Sequence, residues 1–155
     1  MKIGLGYDVH ALVPNRPLIL GGIEIPYKMG LEGHSDADVL VHAVCDALLG
    51  AGGMGDIGDH FPDQAPCYKD ADSIELLKQT WEWVSRDHPA LINLDATVFA
   101  EAPKLSPYKP AMREKLSSAL AVSPDCINIK ATTTEGLGFI GAGRGIAAMC
   151  IVLLA

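Results

Sequence analysis

Asp8 and His10 stand two residues apart at the end of the opening segment, GYDVH. In an extended chain residues i and i+2 point to one side, so this carboxylate and imidazole aim at a common point. Such a pair is either two ligands of one metal ion or a polar strand end that meets water, and a third ligand decides between them. His42 is the candidate. It lies within an apolar stretch, VLVHAVCDALL, where a single histidine is otherwise a hydrogen-bonded core residue. Asp38 and Asp46, at i−4 and i+4, stack acid, imidazole and acid on one helical face. A metal-bound imidazole commonly offers its second nitrogen to a carboxylate, so either acid could orient it. Asp8, His10 and His42 then make three protein ligands with a fourth position open, the pattern of a catalytic rather than a structural zinc site.

Three other places could bind a charged ligand. His34 and Ser35 precede the His42 helix, and a helix start presents unpaired N–H groups and partial positive charge to a phosphate. Otherwise His34 is a loop residue beside an ordinary cap. Lys104 follows a strand in AEAPKLS, where backbone amides and one cation could hold an anion or a nucleobase edge. KATTTEGLGF brings threonine hydroxyls to a strand end beside Glu135, a carboxylate suited to magnesium shared with phosphates. Threonine runs are also common in strands, and a lone lysine or glutamate is usually a solvated surface group. No phosphate loop, nucleophile elbow or H-E-x-x-H helix occurs. Phosphoryl transfer needs no covalent nucleophile, only positioning and electrostatics.

The elements that must position these groups follow from periodicity. KIGLGYDVH reads as a strand, and PLILGGIEIP as a hairpin about Gly21-Gly22. GHSDADVLVHAVCDALLGAGG reads as a buried helix capped by Ser35, with acids in its first turn and glycines ending it. MGDIGDHFPDQAPCYK is Gly-, Asp- and Pro-rich and reads as a functional loop. ADSIELLKQTWEWVSRDHP is an amphipathic helix with Asp72 and Glu75 spaced as a capping box. Its stripe is Ile74, Leu77, Trp81 and Val84, with Trp83 off it and exposed. LINLDATVFA, CINIKATTT and GIAAMCIVLLA read as strands, the last one buried. SPYKPAMREKLSSAL is a helix burying Tyr108, Met112, Leu116 and Leu120. This order predicts an α/β sandwich: one domain over 1–155, a mixed four- to five-stranded sheet with helices on one side, and a small N-terminal β-hairpin.

The 155 residues suffice for one domain, and a hydrophobic share of 49% supplies a core. A net charge of −7 argues against non-specific binding to nucleic acid or anionic membrane, so a phosphorylated ligand must be held by local cations or metals. Cys45, Cys67, Cys126 and Cys150 show no C-x-x-C spacing, as expected of reduced thiols. MKIGLGY has no signal-peptide character, and the terminal apolar run is too short to cross a bilayer; a cytoplasmic protein is expected.

Together, GYDVH, GGIEIP, GHSDADVLVHA, DALLGA, GDIGDHFPD, AEAPK, KATTTEGLGF and the closing GIA resemble the 2-C-methyl-D-erythritol 2,4-cyclodiphosphate synthase family of the non-mevalonate isoprenoid route. The blocks span the chain in the family's order. The resemblance implies a homotrimer with sheets facing its three-fold axis and active sites between subunits. It implies Zn2+, or another divalent transition metal, on Asp8, His10 and His42, and Mg2+ or Mn2+ near Glu135, shared with the substrate diphosphate. The cytidine end of a CDP-methylerythritol phosphate would meet Ala100, Glu101, Ala102, Pro103, Lys104, Leu105 and Ser106, with Thr132, Thr133 and Thr134. The methylerythritol end would meet Asp56, Ile57, Gly58, Phe61, Pro62, Asp63, Gln64 and Ala65. Val9, Ser35 and Phe139 complete the implied substrate contacts, and His34 and Thr133 would stabilise the transition state.

Two departures from the family's pattern are visible. GFIGAGRG has Ala142 and Arg144 where the family commonly has G-F-x-G-R-G-E-G, so the guanidinium is expected two places along a strand. This weakens any phosphate role for position 142 and the family's isoprenoid-diphosphate site in the trimer cavity. Ala37 replaces the family's usual glycine, a change the first turn of a helix tolerates. Two other functions compete: a zinc-dependent phosphohydrolase of nucleotide diphosphates, for which no water-positioning group stands out, and an inactive trimeric nucleotide-binding homologue.

Overall fold

The computed structural model describes residues 1–62 and 71–155. Strand β1 (Lys2–Pro14) leads to a two-stranded hairpin, β2 (Leu18–Leu20) and β3 (Ile23–Ile25), and to the short β4 (Met29–Leu31). Helix α1 (Val39–Gly52), the single turn α2 (Ile57–His60) and α3 (Ser73–Val84) come next. Then follow β5 (Leu91–Phe99), α4 (Lys109–Leu120), β6 (Ile127–Thr132), the turn α5 (Gly138–Gly141) and β7 (Gly145–Leu154). The sheet order is β4-β1-β7-β5-β6, with only β5 and β6 parallel, and the hairpin forms its own small sheet. The mixed five-stranded sheet and separate hairpin match the sequence reading.

Gly4 and Gly6 explain how α1 lies on β1. A Cβ at Gly6 would collide with the Ala43 carbonyl oxygen, and one at Gly4 with that of Ala47. Bare backbone on this face lets the helix settle almost onto the strand, while alternation carries Asp8 and His10 onto the same face. Ala43, Ala47 and Leu48 are fully buried there, each buried leucine being worth about 2 kcal/mol. The opposite face is apolar and open: Ile3, Leu5, Tyr7, Val9, Met149 and Ile151 are all exposed. From Ala148 onward β7 is therefore buried mainly on its helix side, rather than throughout as its unbroken apolar run predicts.

Several local expectations are corrected. Asp38, not Ser35, is the N-cap of α1, and that helix has no acid in its first turn. Ala37 consequently precedes the helix, in the left-handed region at φ 57°. Asp38 is fully buried and accepts from the amides of Val41 (3.1 Å), Gly21 (2.9 Å) and Gly22 (2.6 Å). Gly21 and Gly22 have φ of 60° and 71°, as a two-residue hairpin turn requires, so one carboxylate ties this turn to the start of α1. Burial pushes Asp38 up to about 6, against the pull of these amides.

In α3, Asp72 caps through the Ile74 amide while Glu75 pairs with Lys78 instead of closing a box. The capping box lies in α2, between Asp56 and Asp59, inside the segment read as loop. Trp83 is not simply exposed: its ring stacks on Phe61 at 5.4 Å and meets His60 at 4.9 Å, pinning α2. Ala142, Gly143 and Arg144 form a turn after α5, with φ of 67° at Gly143. Strand alternation therefore does not relate positions 142 and 144.

Candidate active site

Asp8 and His10 reach the α1 face of β1 just beyond Gly6, where His42 is the next helical residue to meet the strand. Asp8 Oδ2 lies 2.9 Å from His10 Nε2 and 3.0 Å from His42 Nδ1, and the two nitrogens are 3.2 Å apart. Among the described residues these three form the group whose ligand atoms cluster closely enough for one metal ion. His10 Nδ1–H donates to the Glu32 carbonyl oxygen at 2.6 Å. A carbonyl can only accept, so His10 Nε2 turns its lone pair to the cluster. Burial alone would raise the Asp8 carboxyl, but the His10 and His42 imidazoles beside it outweigh burial and hold the group well below the usual carboxylate range. One oxygen and two nitrogens facing a common point suit zinc or a similar divalent transition metal.

The acids expected to orient His42 do not do so. Asp38 is occupied by its three amides, and Asp46 accepts from the Ile57 amide at 3.2 Å. Burial raises the Asp46 carboxyl, only partly offset by that amide. His42 Nε2 instead lies 3.0 Å from Ser73 Oγ and 3.3 Å from Ser35 Oγ. Ser73 comes from α3, whose packing on α1 no helical spacing reveals.

The cluster opens into a cleft of about 230 Å³ lined by His34, Ser35, Ile57, Gly58, Phe61 and Leu76 besides the three ligands. Asp56 is exposed and spends its side chain on capping α2. Val9 turns to the opposite sheet face, and Pro62 is exposed. Asp63, Gln64 and Ala65 lie outside the described residues, as does Cys67.

A second cavity, about 320 Å³, opens at the ends of β5 and β6. Ala100, Glu101, Pro103, Lys104, Leu105, Ser106, Thr132 and Thr133 line it, joined by Lys109 and Ala131, which carried no sequence signal. Ala102 and Thr134 stand beside these residues in the chain without lining the cavity. Glu101 Oε1 accepts from the Thr134 amide (2.8 Å), the Thr134 hydroxyl (3.2 Å) and the Gly136 amide (3.3 Å). These bonds pull Glu101 below its ordinary value. Glu135 sits at φ 52° and accepts from the Thr133 hydroxyl at 3.0 Å, apart from the Asp8 cluster. Phe139 is exposed on α5, its ring against Gly145.

The YgbB family model matches residues 1–155. The chain belongs to the YgbB family. It is 57% identical over 154 residues to the 2-C-methyl-D-erythritol 2,4-cyclodiphosphate synthase of Clostridium perfringens, covering 99% of each chain. With the synthase of Geotalea uraniireducens it shares 60% identity, over 99% of this chain and 98% of that one. Its fold superposes on a CDP-bound 2C-methyl-D-erythritol-2,4-cyclodiphosphate synthase with a TM-score of 0.90 at 37% identity, over 99% of this chain and 100% of the other. The bifunctional IspDF from Campylobacter jejuni gives a TM-score of 0.94 at 48% identity, over 97% of this chain and 41% of that longer one.

Three side chains that shape this YgbB site escaped the sequence reading. Arg16 donates to the Gly33 carbonyl (3.0 Å) and the Ser35 carbonyl (2.8 Å), bracketing His34. Asp36 accepts from the Ser73 amide at 3.0 Å and from the Ser73 hydroxyl. Arg16 follows β1 in a loop, and Asp36 and Ser73 are 37 residues apart, so each pairing exists only once the chain has folded.

Proposed function

We propose that this chain converts 4-diphosphocytidyl-2-C-methyl-D-erythritol 2-phosphate into 2-C-methyl-D-erythritol 2,4-cyclodiphosphate and CMP, as a phosphorus–oxygen lyase of isoprenoid precursor synthesis. The observation that carries the mechanism is the convergence of Asp8 Oδ2, His10 Nε2 and His42 Nδ1 at the floor of a cleft. Zinc on these ligands, with magnesium or manganese near Glu135, would supply Lewis-acid stabilisation of the diphosphate.

The substrate's 2-phosphate oxygen attacks the β-phosphorus. The bond from that phosphorus to the oxygen bridging the α-phosphate breaks, and CMP leaves with the electron pair. A phosphate monoester, with a second pKa of about 6, is already ionised at neutral pH, so the chain need supply no general base. Its residues bind and orient. Lys104 offers a cation to the phosphates, and the walls of the β5–β6 cavity receive the cytidine end. Ile57, Gly58 and Phe61 hold the methylerythritol end, while His34 and Thr133 donate to the phosphoryl oxygens as charge builds in the transition state. The value of this geometry lies in folding one substrate back on itself.

The open apolar face of β1 and β7 supports a homotrimer, because an exposed patch of this kind marks an interaction surface. Within one chain the metal cluster on β1 and the cytidine cavity at β5 and β6 stand two to three strand spacings apart, on the order of 10–14 Å. Sites completed between neighbouring subunits fit that separation. Cys45 and Cys150 are buried free thiols, and burial pushes Cys45 up to about 12, which suits a reducing compartment such as the cytoplasm. No helix among the described residues is long and apolar enough to cross a membrane.

Incubating the protein with the CDP-methylerythritol phosphate tests the reading: cyclic diphosphate and CMP are expected. A linear phosphate product would show a hydrolase and overturn it, and no turnover in metal-loaded protein would leave a binding homologue.

A further inference from the structure

The second nitrogen of His42 is held by a chain of hydrogen bonds that ends on the Asp36 carboxylate. Asp36 Oδ2 accepts from the Ser73 amide at 3.0 Å, and Asp36 Oδ1 accepts from the Asp38 amide at 3.2 Å and from the Ser73 hydroxyl. A serine hydroxyl has one proton. With that proton given to the Asp36 carboxylate, Ser73 Oγ can only accept from His42 Nε2, 3.0 Å away. The ring proton is thereby kept on Nε2. Ser35 Oγ, at 3.3 Å, already accepts from the Ala37 amide at 3.1 Å. Ser73 and Ser35 are both buried, so little water competes for these bonds.

We propose that Asp36 and Ser73 form a positioning relay that locks His42 in its Nε2–H tautomer, so that Nδ1 presents a lone pair beside Asp8 Oδ2 and His10 Nε2. The Glu32 carbonyl does the same for His10, accepting from its Nδ1–H at 2.6 Å. The relay also joins the cluster to the start of α3, since the Asp36 amide donates to the Ala71 carbonyl at 3.1 Å. The inference rests on reading Asp8, His10 and His42 as metal ligands, and the two can fail separately.

Two substitutions act oppositely on the proton chain. Ser73→Ala removes the hydroxyl but keeps the backbone bond to Asp36. Asp36→Ala removes the acceptor of the Ser73 hydroxyl proton. The hydroxyl then points at His42 Nε2 and drives the ring proton to Nδ1, where it blocks the metal. The experiment records long-range proton–nitrogen spectra of the histidine rings in the metal-free full chain, followed by titration with zinc alone against a chromophoric chelator. His42 is expected as Nε2–H in the native sequence and as Nδ1–H in Asp36→Ala. Zinc affinity is expected to fall about 10-fold in Ser73→Ala and about 100-fold in Asp36→Ala, the span seen when groups behind a metal ligand are removed.

A native ring protonated at Nδ1 overturns the relay, as do folded variants that bind zinc as tightly as the native chain with an unchanged His42 spectrum. If a variant does not fold, the native spectrum still decides. Native protein that binds no zinc overturns the metal centre, while the ring spectrum judges the relay without any metal.

Discussion

The two halves of the candidate site are built in opposite ways. The Asp8–His10–His42 cluster sits where β1 and α1 are pressed together, and its polar partners come from the stretch 32–36 and from the start of α3. The β5–β6 cavity hangs on exposed turns: Thr133, Glu135 and Gly136 face solvent, held mainly by Glu101. The first half is pre-organised by the core, so its geometry survives without ligand. The second is set by three hydrogen bonds to one surface carboxylate. Donors fixed before binding suit a metal that tolerates little misplacement, whereas hydroxyls and loop amides can adapt to a phosphate.

The comparison breaks most severely if His42 is removed. His42→Ala is expected to abolish bound zinc and to lower kcat/KM by about 10³-fold or more, since several kcal/mol of charge stabilisation goes with the metal. Metal analysis and steady-state kinetics check both, and a fully active, zinc-free variant would contradict the assignment. Asp38→Ala strands three buried amides and uncaps α1, so a loss of about 3 kcal/mol is expected in urea unfolding.

The open half should respond in binding rather than in metal content. Glu101→Ala releases the threonine turn and is expected to raise KM about 10-fold, equivalent to about 1.4 kcal/mol, with zinc content unchanged. Parallel loss of zinc would mean that the two halves are mechanically one. The metal-free protein should also reveal Asp8 on acidification. Its carboxyl lies lower in the folded chain than in the unfolded one. Its stabilisation is therefore fully present above the ordinary carboxylate value of 3.8 and is lost as pH falls through the lower folded one. Asp8→Asn is expected to flatten that part of the acid-unfolding curve.

The smallest effect is expected at Ala37. Ala37→Gly relieves a left-handed strain of about 1–2 kcal/mol but gives up a buried methyl worth about 0.8 kcal/mol. A change in stability within about 1 kcal/mol should be seen in thermal melts, with zinc affinity unmoved.

The three cluster residues were legible because each obeys a local period: Asp8 and His10 the two-residue period of a strand, His42 the face of a helix. The hairpin was legible for the same reason, since Gly21-Gly22 meets a strict backbone demand. Partners were not legible. Helical spacing pointed to Asp38 and Asp46 as supports of His42, but a carboxylate goes where unpaired amides are nearest. For Asp38 these belong to the hairpin turn and the helix start. Trp83 looked exposed because its neighbours, His60 and Phe61, reach it only after α2 folds against α3. Ala142 and Arg144 do not share a strand face, because Gly143 at positive φ turns the chain between them.

By itself, the sequence determined the main strands and helices, though not β4, α2 or α5, and that an acid and two imidazoles would be available. These are short-range consequences of side-chain period and turn chemistry. Tertiary structure alone decided which groups those imidazoles answer to, which nitrogen each offers and which carboxylate caps α1. Such choices depend on hydrogen-bond donors and acceptors tens of residues apart, and a buried polar group takes the partner that packing delivers.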